Sequence, residues 1–476
     1  MPASQQKLPV TRLAATLSAA LLLGGCAVGP DYLRPSFWFP EPAKENVAVA
    51  RAEAPINPQW WTLFGDSALN NLEQQAVAAN QDLQAAIARL EAAEAAAREA
   101  GADYLPALSL GASSGRSQAS GTTFNGQKTG GQATYNNTRV AASLSYEIDL
   151  WGRVRRNNEA ARAEALASRF GRDAVGLTLA GQVANEYLNL RGLDAQLAVT
   201  RDTLTSREKS LKIVNARLDA GSASALDQAQ AAGALAAAQA QWNQLQRQRA
   251  LSESQLALLT GQPGLKIAAA DLDKLPLPPT PPAGLPSELL EARPDVRQSE
   301  EKLIAANARI GVAKAAYFPS ISLTGLYGSE SMALANLFSG GSTLWSAALG
   351  LSMPIFDAGR TGARVDQASA AQKEALANYR KTVQTAFKEV NDALVGLREY
   401  AGEETANQAQ VTATRRALEL SQTRYEAGYA GFSDVLDAQR TSNNAQLQYL
   451  TSRKNRLGAA VDLFKALGGG WQASGS

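Results

Sequence analysis

About seventy residues, from Gly152 to Gly221, contain no proline and no clear turn signal. Within them Val183, Leu190, Leu197, Leu204, Leu211 and Leu218 fall seven apart and line one seam of a continuous helix. At about 1.5 Å of rise per residue such a helix reaches roughly 100 Å, more than one compact globule can bury. The seam then returns 207 residues later as Val390, Leu397, Val411, Leu418 and Tyr425, with the charged Glu404 in one slot. The chain therefore reads as two copies of one unit whose longest part is an outsized helix.

The first repeat spans residues 66–270. Asp66 or Ser67 caps a helix expected to continue to about Ala100, with Leu69, Leu72, Ala76, Ala79, Leu83, Ile87 and Leu90 on one face. The period then changes to two. Leu105 to Leu110 begin a hairpin over residues 104–150, and Ser113 to Gly131 read as a flexible polar stretch. In the return strand Val140, Ala142, Leu144, Tyr146, Ile148 and Leu150 face one way, and Arg139, Ala141, Ser143, Ser145, Glu147 and Asp149 the other. The long helix over 152–220 follows, with Gly221 suited to a left-handed C-terminal position, then a helix over 225–260. Residues 271–286 hold six prolines and read as an extended linker.

Residues 287–467 replay the first repeat: a helix to Ala316, a hairpin over 317–356, a long helix over 359–427 and a helix over 432–467, followed by a tail at 468–476. Leu351-Ser352-x-x-Ile355-x-x-x-Gly359-Arg360 matches Leu144-Ser145-x-x-Ile148-x-x-x-Gly152-Arg153.

Residues 1–25 read as a signal peptide, with Lys7 and Arg12 ahead of a short apolar core from Leu13 to Leu23. Leu23-Gly24-Gly25-Cys26 resembles a bacterial lipobox. Cys26 is the single cysteine of the chain, so no intrachain disulfide is available. A diacylglycerol on its sulfur and a palmitoyl group on its nitrogen are the expected modification, against the plainer reading of a stray cysteine after an ordinary signal peptide. Ala27 stands where an acidic residue would signal retention at the inner membrane, so the outer membrane is expected. Residues 26–65 form a lipidated, extended segment in which Trp60 and Trp61 dock on the body.

After Cys26 no run of eighteen apolar residues occurs, so no membrane-spanning helix is expected. The two hairpins offer only four strands. Known single-chain barrels start at about eight strands, and an open sheet edge is not viable in lipid. If the hairpins enter a membrane, several chains must pool their strands. The alternation fits a half-buried strand of a soluble sheet equally well. The net charge is +2, carried by Lys7 and Arg12, and no basic stripe suggests a nucleic-acid partner. With no histidine, the chain has no Ser/His/Asp triad, and neither a metal cluster nor a phosphate-binding loop can be read; no enzyme, metal or cofactor is expected beyond the covalent lipid.

The lipobox, Gly29-Pro30-Asp31-Tyr32-x-Arg34-Pro35, the Trp60-Trp61 pair, the Tyr-x-Pro strand starts, the duplication and Ser433-Asp434-Val435-Leu436-Asp437-Ala438-Gln439 together resemble the TolC-type outer membrane factors, and most closely their drug-efflux lipoprotein branch. The resemblance covers nearly all of the chain after Cys26. It implies a mainly α protein with a β-barrel: a homotrimer with a 12-stranded outer-membrane β-barrel continued by a 12-helix periplasmic α-barrel. It further implies a periplasmic adaptor (membrane fusion protein) and an inner-membrane pump of the resistance-nodulation-division type as partners.

By the same resemblance a periplasmic gate lies where each long helix turns into its partner, around Gly221 to Asp227 and Gly428 to Asp437. Asp434 and Asp437 match the family's constriction carboxylates, and Asp227 holds the equivalent place in the first repeat. Three apart on a helix, Asp434 and Asp437 share a face; threefold symmetry would make rings that favour cations. The alternative is that both compensate the helix dipole. Tyr425 matches a tyrosine that ties the inner helix pair to its neighbour, and as a seam residue it also suits the core. Ala430 stands where some members carry an arginine, so Arg424 or Arg440 is the expected substitute. Two other functions fit parts of the pattern: the outer-membrane component of a type I protein secretion system, and a structural periplasmic coiled-coil lipoprotein without a pore.

Overall fold

The computed structural model describes residues 27–35, 59–118, 120, 122, 134–278 and 293–469. The signal peptide, Cys26, and residues 36–58, 279–292 and 470–476 lie outside the described residues. The helices are α1 Ser67–Ala79, α2 Gln81–Ala102, α3 Arg153–Asp219, α4 Ala225–Leu259, α5 Pro294–Ala315, α6 Arg360–Glu426 and α7 Phe432–Ala466. The strands are β1 Ala107–Gln118, β2 Thr134–Ile148, β3 Ser320–Ser331 and β4 Thr343–Ser352. Both long helices, α3 and α6, contain 67 residues. No described helix is long and apolar enough to cross a membrane.

The chain divides into two compact units, and each draws on both repeats. Unit one combines Met1–Phe37, Leu90–Ala167 and Ser299–Tyr379; unit two combines Trp38–Arg89, Ser168–Gln298 and Arg380–Ser476. The compact units thus cut across the repeats instead of following them.

Unit one is built on one antiparallel sheet of order β1-β2-β3-β4. Its hairpins are joined by β2 pairing with β3, with Val140 opposite Ser329 and Ile148 opposite Ile321. Within the first hairpin, strand β1 is longer than expected. Residues 113–118 continue β1 and pair as far as Gln118 with Thr134, although the stretch reads as a flexible polar loop. Backbone pairing supports them without apolar side chains, and Ser114 and Thr138 share a hydroxyl hydrogen bond of 3.0 Å. At the foot of the sheet Asp149 accepts from the amides of Val154 and Arg155, capping α3. Asp357 serves α6 in the same way, accepting from Gly359 and Thr361.

Residues 27–35 are sewn onto unit one. The Val28 amide donates to the Trp151 carbonyl at 3.0 Å, and Asn307 donates to the Pro30 carbonyl at 2.9 Å. Glu300 accepts from the Tyr32 hydroxyl and from Arg34. A methyl group added at Gly29, where φ is +118°, would stand 2.6 Å from the Gly311 Cα, so only glycine permits this approach.

Unit two holds the main core. Trp60 is 1% exposed and stacks on Phe464 with centroids 5.5 Å apart, and Trp61 packs beside it. Asp66 caps α1 by accepting from the Ala68 amide at 2.8 Å. The single helix expected to Ala100 is in fact two, broken at Asn80. The Asn80 side chain accepts from the amides of Asp82 and Leu83 and donates to the Leu259 carbonyl at 3.0 Å. It caps α2 while it ties both helices to α4. The start of the expected linker is also not a spacer. Leu272–Lys274 form a 3₁₀ turn, and Leu272 and Leu275 are buried in the core. Arg249 donates to the Ile267 carbonyl and Arg453 to the Leu275 carbonyl, each at about 2.7–2.8 Å, holding this segment down. Glu404, the odd residue of the second seam, explains itself here: it accepts from Arg453 at 3.1 Å and Arg456 at 2.8 Å, both on α7.

Candidate functional site: a membrane sheet and a helix-turn end

The register of the four strands aligns their side chains into one apolar face. Leu108 lies opposite Leu144, Tyr146 opposite Leu323, and Leu323 opposite Leu349. Tyr327 lies opposite Trp345 on the same face. The opposite face carries Ser109, Ser143, Ser322, Thr324 and Ser346, with Ser109 and Ser143 sharing a hydrogen bond of 2.7 Å. The apolar side chains are bare: Leu108, Leu110, Trp345, Leu349 and Leu351 are 69–76% exposed. A continuous exposed apolar band on a polar-backed sheet is the pattern of strands that face lipid.

Unit two places the ends of the long helices and their partners together. Ser222 donates its amide to the Arg217 carbonyl and Gly221 to that of Leu218; Tyr429 donates to Arg424 and Gly428 to Tyr425. Both ends are Schellman motifs, with φ of +72° at Gly221 and +80° at Gly428, as the glycines suggested. Asp227 and Asp434, 207 apart, stand at the same place in the two repeats. Asp227 forms a reciprocal cap with Ser224, whose hydroxyl accepts from the Asp227 amide at 3.1 Å. In the second repeat Gly431 replaces the serine, so only one half remains: Asp434 accepts from the Gly431 amide at 3.2 Å. Asp437 lies beyond the first turn and caps nothing. Its carboxylate meets Arg440 at 3.1 Å, and both side chains are more than 70% exposed. Asp434 and Asp437 share an exposed face of α7, while Phe432 and Val435 bury the other.

Tyr425 is drawn into a small core. Val214 and Ala231 of the first repeat meet Phe432 of the second, with Leu211, Tyr425 and Leu436 packed around them. The Tyr425 and Phe432 rings lie 5.6 Å apart. Sequence reasoning missed Arg217, whose guanidinium sits 4.7 Å from the centre of the Tyr425 ring. Of the two arginines named as substitute ties, Arg440 pairs with Asp437 and Arg424 is exposed. Farther along, α3 runs antiparallel to α7: Asn185 donates to Asp462, Thr203 to Asn443, and Arg207 to Gln439. Arg207 is buried against this neutral acceptor, and burial pushes its pKa down.

The profile of the outer membrane efflux protein family matches residues 72–262 and 285–469, one match to each repeat. The chain belongs to that family. It is 37% identical over 462 residues to the outer membrane protein OprJ of Pseudomonas aeruginosa, covering 96% of this chain and 95% of OprJ. The Campylobacter jejuni outer membrane channel CmeC superposes with a TM-score of 0.87 at 28% identity, covering 95% and 96% of the two chains. The open state of the Neisseria gonorrhoeae channel MtrE superposes at 0.83 with 32% identity, covering 94% and 98%. The fold is therefore TolC-like, and the protein is an outer-membrane channel component of an efflux system. The exposed apolar sheet of this efflux protein is its membrane-facing part, which decides the alternation in favour of lipid over a soluble sheet.

Proposed function

We propose that three copies assemble into one passive conduit. Each copy gives four strands to a 12-stranded barrel in the outer membrane, with β4 of one closing on β1 of the next. The observation that carries this is the sheet itself: one bare apolar face, and strand edges at β1 and β4 that no described strand covers. The helices of the three copies then continue as a 12-helix tube in the periplasm. A periplasmic adaptor and an inner-membrane pump of the resistance-nodulation-division type deliver cargo to it, and the tube performs no chemistry on that cargo.

Cys26 anchors each copy through S-diacylglycerol and N-palmitoyl groups. The docking of residues 27–35 supports this reading: Val28, two residues after Cys26, is bonded to Trp151, just beyond the end of β2 at the foot of the membrane sheet. The closed end is the pair of turns at Gly221 and Gly428, with Asp434 and Asp437 forming acidic rings on the lumen and Asp227 serving as the first-repeat counterpart. Of the two, Asp437 has the better claim to a lumenal role, because it has no capping task.

The test is a bilayer recording of the purified, heat-stable trimer. Asp434→Ala combined with Asp437→Ala is expected to weaken block by divalent cations and to change conductance. Unaltered block and conductance would remove the acidic rings from the lumen, and a monomer without conductance would remove the conduit.

A further inference from the structure

We propose that Arg217 is the latch that holds the turn ends of the two repeats together, by seating its guanidinium on the face of the Tyr425 ring. The inference rests on the reading of these turns as the closed end of the conduit. The cation comes from the first repeat, on α3, and the ring from the second, on α6; the two are 4.7 Å apart. Phe432 backs the ring at 5.6 Å, and Leu211, Val214 and Leu436 belong to the same apolar cluster as the ring. A cation over an aromatic face is attracted by the ring quadrupole, and more strongly where both are partly desolvated.

The duplication shows why one such latch exists and not two. Arg217 corresponds to Arg424, 207 residues on, and Tyr425 corresponds to Leu218. Both repeats kept the arginine, but only the second has the ring. Arg217 can therefore reach an aromatic face across the repeats, while Arg424 would find a leucine and remains exposed. Three carboxylates at the turns are engaged elsewhere. Asp227 is bonded to Ser224, Asp434 to Gly431 and Asp437 to Arg440, each within its own repeat. The other cross-repeat contacts toward this end, Thr203 to Asn443 and Arg207 to Gln439, lie more than two helical turns back from Gly221. Of the two arginines of α3 that reach the second repeat here, Arg207 and Arg217, it is Arg217 that does so in the last turn before Gly221.

The quadrupole argument needs the ring and not the hydroxyl, which separates this latch from a tyrosine hydrogen bond. In bilayer recordings of trimers with unchanged heat stability in detergent, Tyr425→Phe is expected to stay as closed as the parent. Arg217→Gln and Tyr425→Leu are each expected to raise open occupancy by about fivefold per copy, the loss of one cation–π contact in each of the three. The double variant should open no further than either single one, since both remove the same contact. Arg217→Lys keeps the charge and should fall between parent and Arg217→Gln. If Tyr425→Phe opens the channel as Tyr425→Leu does, or Arg217→Gln leaves occupancy unchanged, or the double variant multiplies the single effects, the latch is overturned. The acidic rings are read separately, through cation block in the aspartate variants, so failure of one assignment leaves the other measurable.

Discussion

Glu73 stands on the buried stripe of α1 with Leu69, Leu72 and Ala76, and it is fully buried. Neither carboxyl oxygen has a hydrogen-bond donor among the described residues. Burial alone pushes its pKa from 4.5 up to about 9. In the fold the group keeps its proton through neutral pH, whereas in the unfolded chain it ionises near its ordinary value. The folded pKa is the raised one, so the fold is at no disadvantage below about pH 4.5 and loses stability as the pH climbs toward 9. The slope is about 1.4 kcal/mol per pH unit, which amounts to about 3 kcal/mol at pH 7. Glu73→Met keeps the volume and removes both the ionisation and the unsatisfied oxygens. We expect the variant to be more stable at pH 7 by about 3 kcal/mol or somewhat more, with the gain widening at pH 9 and shrinking toward pH 5. The assay is guanidinium unfolding of the full-length protein in detergent at pH 5, 7 and 9 and one fixed concentration, followed by helical circular dichroism. A pH dependence as steep in the variant as in the parent would refute the reasoning. A destabilised variant would show that a donor holds the carboxyl in the assembled protein.

Asn80→Ala removes the α2 cap and the bond to the Leu259 carbonyl together, so a loss of about 1–3 kcal/mol is expected in the same unfolding assay. Gly428→Ala forces a β-carbon into φ of +80° at the Schellman turn and is expected to cost about 1 kcal/mol, measurable as a lowered midpoint with the helix content unchanged.

Much of the efflux fold is legible residue by residue because its signals are local. The period-two runs around Leu144 and Leu349, the seven-residue seam through Val183 and Leu190, and the glycines at 221 and 428 act within a few residues of themselves. Element ends consequently fall close to the expected ones: α3 runs Arg153–Asp219 where 152–220 was expected, and α6 runs Arg360–Glu426 where 359–427 was expected. The misses share another origin. Asn80 breaks a helix because Leu259, 179 residues away, offers it a carbonyl. Leu272 and Leu275 belong to the core and not to a spacer, because unit two leaves a place for them. Glu404 looks like a flaw in a seam until Arg453 and Arg456 arrive from α7.

The candidate site divides along the same line. Asp434, Asp437 and Tyr425 are reached through the family resemblance, and Asp227 through its equivalent place in the first repeat. Arg217 is reached by neither route, since an arginine in the last turn of a helix reads equally well as a dipole partner. Helix, strand and turn types follow from the linear order of side chains, as each is stabilised by neighbours three or four residues away, by alternation or by a single backbone angle. The pairing of the first repeat's Arg217 with the second repeat's Tyr425 joins positions 208 apart in the chain, and no local preference encodes that distance.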